Sequence, residues 1–220
     1  MKLVYSLTLS FLLFVFITNL SIAFSNDDNE PVLDLSGKPL IAGNEYYILP
    51  SSGRGITGGG IELEKTGNSK CEVTVLQSYR LFSFQTSLKF TNLKNSSEQI
   101  LTSTPLEIEV TKKPDCAHSS KWIVFVDNVI HKSCLGIGDY RNYDDFQKVS
   151  GTFSILKYGK GYQFEFCLDG SGACYDIGRY HHFGEIGKRL YLAEQDPKDP
   201  FEFIFLPTSF GTGIIKSVVA

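Results

Sequence analysis

The chain has 220 residues, 42% hydrophobic and 20% charged, with a formal net charge of −3. That mild acidity argues against a nucleic-acid partner, which needs a basic face. No polybasic cluster is present for an anionic lipid surface either.

Residues 1–25 read as a signal peptide. Lys2 supplies a short basic n-region, "LTLSFLLFVFI" is an apolar h-region too short for a membrane span, and Ser21, Ala23 and Ser25 offer small side chains for cleavage. Loss of Lys2 with this segment takes the formal charge from −3 to −4. No later run approaches the ~20 apolar residues of a transmembrane helix. Residues 26–220 carry no Pro/Gly/Ser-rich linker and read as one exported domain with no membrane partner.

Strand signals then follow one another: "YYIL", "GIELEK", "EVTVLQ", "SLKF", "LEIEV", "WIVFV", "TFSILKY", "YQFEFC", "RLYLA" and "FEFIFL". They are rich in Val, Ile, Tyr and Phe, several alternate apolar with polar, and turn-forming residues separate them. "LKYGKGYQF" predicts a hairpin, with Gly159 and Gly161 free to take positive φ. No helical period persists beyond two turns. About ten to twelve strands spaced in this way predict an all-β sandwich or closed barrel. Aromatic-rich strands recur at "YYIL", "WIVFV" and "YQFEF", irregularly, as a degenerate repeat would.

Five cysteines occur: Cys71, Cys116, Cys134, Cys167 and Cys174. In an exported protein they are read as disulfide partners, and an odd count leaves one over. Cys167 and Cys174 bracket the turn-rich "LDGSGA", which suits a stapled hairpin. Spacing leaves the pairing of the other three open.

Motifs for chemistry are weak. "GRGITG" (Gly53 to Gly58) fits the dinucleotide fingerprint in letters, but a strand-like run follows where a helix must begin to hold pyrophosphate, so it reads as a surface loop. His181 and His182 are neighbours that a strand would point to opposite faces, and His118 and His131 fall at no ligand spacing. No metal and no cofactor are expected. Serine-elbow, zinc-protease and Cys–His signatures are absent, and the acids Asp144, Asp145, Asp176 and Glu185 cannot be paired from sequence, so the chain is not read as an enzyme. "TNLKNSSEQ" (Thr91 to Gln99) sets one basic residue, Lys94, between two strands. A lone loop lysine is ordinary solvated surface. The triplet Asn95-Ser96-Ser97 is an N-glycosylation acceptor.

Taken in order, the landmarks resemble the plant Kunitz family, that of soybean trypsin inhibitor and the miraculin-like proteins. They are "VLDLSGKPLIAGNEYYILP" (Val32 to Pro50), "GGGI" (Gly58 to Ile61), "CEVTVLQ" (Cys71 to Gln77), "CAHSSKW" and "FCLDGSGACYDIG", and the likeness spans about residues 31–207. It implies a disulfide-stapled β-trefoil of twelve strands with pseudo-threefold symmetry. It also implies Cys71–Cys116 and Cys167–Cys174 bridges, with Cys134 unpaired. Its inhibitory members present one loop to a serine protease. Here that loop falls on Thr91, Asn92, Leu93, Lys94, Asn95 and Ser96, with Lys94–Asn95 as the reactive bond and Lys94 suited to the acidic pocket of a trypsin-like enzyme.

The implied protein is a secreted monomeric inhibitor, apoplastic or vacuolar. The same scaffold also carries non-inhibitory storage, defence and receptor- or glycan-binding members. The sequence departs from the inhibitor pattern where a proline becomes Asn92, freeing φ. It departs again where the family's loop-bracing asparagine aligns with Ala42, whose methyl group donates nothing. These two exchanges predict a loosely held loop, and a glycan on Asn95 would stand beside the scissile bond, where a protease must close.

Overall fold

The computed structural model describes residues 29–52, 55–81, 83–84, 86–94, 97–193 and 199–209. The signal-peptide expectation for residues 1–25, and Asn95 and Ser96 of the candidate loop, lie outside them. Within the described residues the strands are β1 (Glu45–Ser52), β2 (Gly55–Ile56), β3 (Ile61–Glu64), β4 (Thr74–Ser78), β5 (Leu88–Asn92), β6 (Leu106–Val110) and β7 (Trp122–Asp127). There follow β8 (Lys132–Ile137), β9 (Lys148–Val149), β10 (Gly151–Tyr158), β11 (Gly161–Leu168), β12 (Cys174–His181), β13 (Gly187–Leu192) and β14 (Phe203–Pro207).

Six of these strands pair in a closed antiparallel ring: β1 with β5, β5 with β6, β6 with β10, β10 with β11, β11 with β14, and β14 back to β1. Closure leaves this barrel without a free edge. Six more form three hairpins, β3/β4, β7/β8 and β12/β13. Their second strands meet pairwise, β4 with β8, β8 with β13 and β13 with β4. Each third of the chain thus runs barrel, cap, cap, barrel. That is a β-trefoil with pseudo-threefold symmetry. The two-residue β2 and β9 lie outside the scheme, paired to β1 and β7.

Alternation builds the core. In β6, Leu106, Ile108 and Val110 are buried while Glu107 and Glu109 face outward. Phe90, Phe164, Phe203 and Phe205 come from β5, β11 and β14 and are fully buried. Their rings meet at 4.4 to 6.4 Å, from Phe164–Phe203 to Phe90–Phe164, within the range of favourable aromatic pairs. Each such burial contributes about 1.5–3 kcal/mol.

All ten strand-like runs of the sequence are strands here. Strands β8 and β12 were not read from it, because "KSCLGI" and "CYDIGRYH" interrupt the apolar period with Gly, Ser, Asp and Arg. Gly136 within β8 is required by packing: a Cβ there would lie 2.2 Å from the Tyr143 hydroxyl. The recurrent aromatic runs are equivalent only in part. "YYIL" and "YQFEF" are the first barrel strands of their thirds, whereas "WIVFV" is a cap strand. The predicted hairpin closes between Tyr158 and Gly161 with Gly159 at φ 57°. Gly161 is not at positive φ; it is needed because a Cβ would meet the Phe203 carbonyl oxygen at 2.3 Å. The described part of "GRGITG" folds back on β1 as β2 and leads into strand β3, not a helix.

Candidate functional site

The β5–β6 connection lies at the end of the barrel away from the cap, since β5 comes down from one cap hairpin and β6 leads up to the next. An N-terminal strap crosses this end. Val32 donates its N–H to the Ile100 carbonyl at 2.9 Å, Ile100 donates to Leu40 at 2.9 Å, and Ala42 donates to Glu98 at 2.7 Å. Isolated bridges Pro31↔Leu101 and Ile41↔Gln99 continue the pairing.

Thr91 and Asn92, read as loop residues from the sequence, are the last two residues of β5, opposite Glu107 and Leu106. The ladder simply runs two residues further than the turn chemistry of "TNLKNSSEQ" suggested. Leu93 leaves it, donating to the Pro105 carbonyl at 3.1 Å. Its side chain is half exposed, and Lys94 beyond it is exposed. Among the described residues Lys94 makes no ion pair.

The two described arms of the loop, residues 91–94 and 97–100, carry ties that the expectation from Asn92 and Ala42 left out. The Asn92 side-chain amide donates from Nδ2 to the Ser97 carbonyl at 2.7 Å and the Gln99 carbonyl at 3.1 Å. It joins the rising arm of the loop to the returning one. Two carbonyl acceptors fix the amide orientation, because the reverse would set Oδ1 against both. The Gln99 N–H also reaches the Ser97 hydroxyl at 3.1 Å. Ala42 offers no side-chain donor, yet its backbone N–H holds Glu98. Sequence reasoning missed both ties because it weighed φ freedom and a side-chain brace, not a cross-loop amide.

The cysteines follow the implied pattern: Cys71–Cys116 and Cys167–Cys174 are bridged and Cys134 is free and buried. Burial pushes the Cys134 thiol up to about 12. Cys167 and Cys174 face each other across β11 and β12. With Glu165 they form a potential metal-ligating group, but both sulfurs are committed to the disulfide and neither is a thiolate.

Other sequence candidates are engaged elsewhere. Arg141 opens "RNYDD" (Arg141 to Asp145), which the family likeness offers as an alternative rim loop to that of Lys94; it sits in a turn of 3-10 helix (Tyr140–Asn142), and its Nε lies 3.2 and 3.1 Å from the two Asp139 carboxylate oxygens. The guanidinium bond holds the Asp139 carboxyl down, at about 2. His181 contacts the Tyr79 hydroxyl, while His182 lies 3.3 Å from Glu185. Asp176 accepts from Gln163, and Glu185 instead pairs with Arg189. Arg189 itself was not singled out from sequence: it is 1% exposed and held 2.5 Å from Asp127.

A disulfide-bridged β-trefoil with a strapped, lysine-bearing loop at its open end defines a class of compact loop-presenting proteins. The profile of the legume Kunitz family, described as trypsin and protease inhibitor, matches residues 32–206. The chain belongs to that family. It is 51% identical over 222 residues to a Kunitz-type trypsin inhibitor-like 2 protein of Pisum sativum, covering all of both chains. A subtilisin inhibitor of Canavalia lineata is 45% identical over 194 residues, which cover 87% of this chain and 99% of the relative. Among solved structures, a Kunitz type trypsin inhibitor from Cicer arietinum superposes with a TM-score of 0.74 at 49% identity, covering 81% of this chain and 99% of its own.

Proposed function

We propose that the protein is a secreted, monomeric inhibitor of serine endopeptidases, trypsin-like enzymes foremost, and not an enzyme itself. The observation that carries this reading is the exposed Lys94, without an ion pair among the described residues, on a loop tied at both ends. A pre-ordered loop loses little freedom on binding, which is how protease–inhibitor pairs of ordinary contact area reach high affinity. Lys94 enters the acidic primary pocket and Lys94–Asn95 lies across the protease's nucleophile. Relatives named for trypsin and subtilisin inhibition support the protease class.

Titration of trypsin with the mature protein, with and without any Asn95 glycan, tests the reading. Stoichiometric loss of trypsin activity is expected from the glycan-free form. Lys94→Ala should weaken inhibition on the order of a thousandfold, the effect of losing one dominant interface residue worth about 4 kcal/mol. Full trypsin activity with both forms would sink it.

A further inference from the structure

We propose that Asn92 is the positioning residue of this loop, and that its amide decides whether a protease holds the Lys94–Asn95 bond or turns it over. The inference rests on Lys94 as the residue offered to the protease. Asn92 is half-buried at the end of β5, its backbone fixed against Leu106 and its side chain two residues short of Lys94. From there Nδ2 spans residues 93–98 to reach Ser97 and Gln99. The far arm is independently registered on the strap through Ala42–Glu98 and Ile41↔Gln99. Both feet of the rung are therefore fixed before a protease arrives.

Only an amide suits the position. Both partners are carbonyl oxygens, so the side chain must present two N–H donors, a carboxylate would repel them, and an alkyl group would leave them unpaired. Without the rung, nothing joins the Asn92 side chain to the returning arm at Ser97 and Gln99. A protease that attacks the Lys94 carbonyl then forms its acyl-enzyme with a leaving amine on Asn95 that drifts away, and water completes hydrolysis. With the rung, the amine stays beside the ester and the attack reverses.

The test compares the parent with Asn92→Asp, which is isosteric, and Asn92→Leu, both freed of any Asn95 glycan and incubated with trypsin. Cleavage after Lys94 is followed on reducing gels with mass identification, cleavage elsewhere serves as the stability control, and trypsin inhibition is titrated in parallel. Both variants should be cut after Lys94 about 30-fold faster, or about 2 kcal/mol at 1.4 kcal/mol per decade. Cleavage elsewhere should proceed at the parental rate. Parental rates after Lys94 in both variants would overturn the role of Asn92. A parent that fails to inhibit would defeat the proposed function, but the ratio of cleavage rates would still decide the inference.

Discussion

Cys134 shows how environment overrides residue type. Its thiol lies on β8, fully buried beside Tyr191 of β13. Burial raises its proton affinity from an ordinary 9.0 to about 12. The fold therefore favours the protonated thiol. The stabilisation this linkage contributes is complete below pH 9 and is lost as pH rises towards 12, because the unfolded chain gives up its proton first. Native protein at pH 8 should resist a thiol-labelling reagent and take up one label per chain once unfolded in denaturant without reductant. Labelling of the native protein at the rate of a free cysteine would contradict the burial. The sequence revealed the leftover cysteine by its odd count. Which one was left over came from the family likeness, since spacing does not choose among Cys71, Cys116 and Cys134.

Two staples join elements of very different separation. Cys71–Cys116 encloses 45 residues of separation and Cys167–Cys174 only 7. Chain entropy predicts that removing the long bridge, Cys71→Ser with Cys116→Ser, costs about 4 kcal/mol, and removing the short one about 2.5 kcal/mol. Denaturant unfolding of the two double variants would measure the difference, and equal losses would refute the entropic account. Elements were legible where apolar residues alternate, as in "LEIEV". They were illegible where a cap strand is half polar, as in β12, whose pairing partners and not its own pattern make it a strand. The C-terminal end of β5 was misplaced for a related reason: Asn92 is a turn former by type, and only the ladder opposite Leu106 keeps it extended.

At the scale of the molecule the threefold cap converges on Arg189. This residue of β13 pairs in register with Leu76 of β4, binds Asp127 at the end of β7, and holds Glu185 with Nε at 2.9 Å. Glu185 is 9% exposed and Asp127 fully buried, so the cation holds two sequestered acids together. Arg189→Met would strand both carboxylates and should cost about 3–5 kcal/mol in thermal or denaturant unfolding. A loss under about 1 kcal/mol would mean that water or another cation replaces it. Nothing in "GKRLYLA" distinguishes this arginine from a solvated strand residue, because its partners lie 4 and 62 residues away. The number and spacing of strands anticipated a sandwich or a closed barrel without choosing between them, whereas the closed ring and its threefold order came from family likeness and not from a visible repeat.

The long disulfide has a consequence for a chain cut after Lys94. Cys71 precedes that bond and Cys116 follows it, so the two pieces stay covalently joined. They also share one barrel: β1 and β5 belong to the first piece, and β6, β10, β11 and β14 to the second. Neither can leave without dismantling the ring and reducing the bridge. The severed ends thus meet at the concentration of neighbours in one molecule instead of that of solutes, and resealing the backbone competes with its hydrolysis. A scission that would be final in an ordinary substrate becomes an equilibrium between two forms of a single particle.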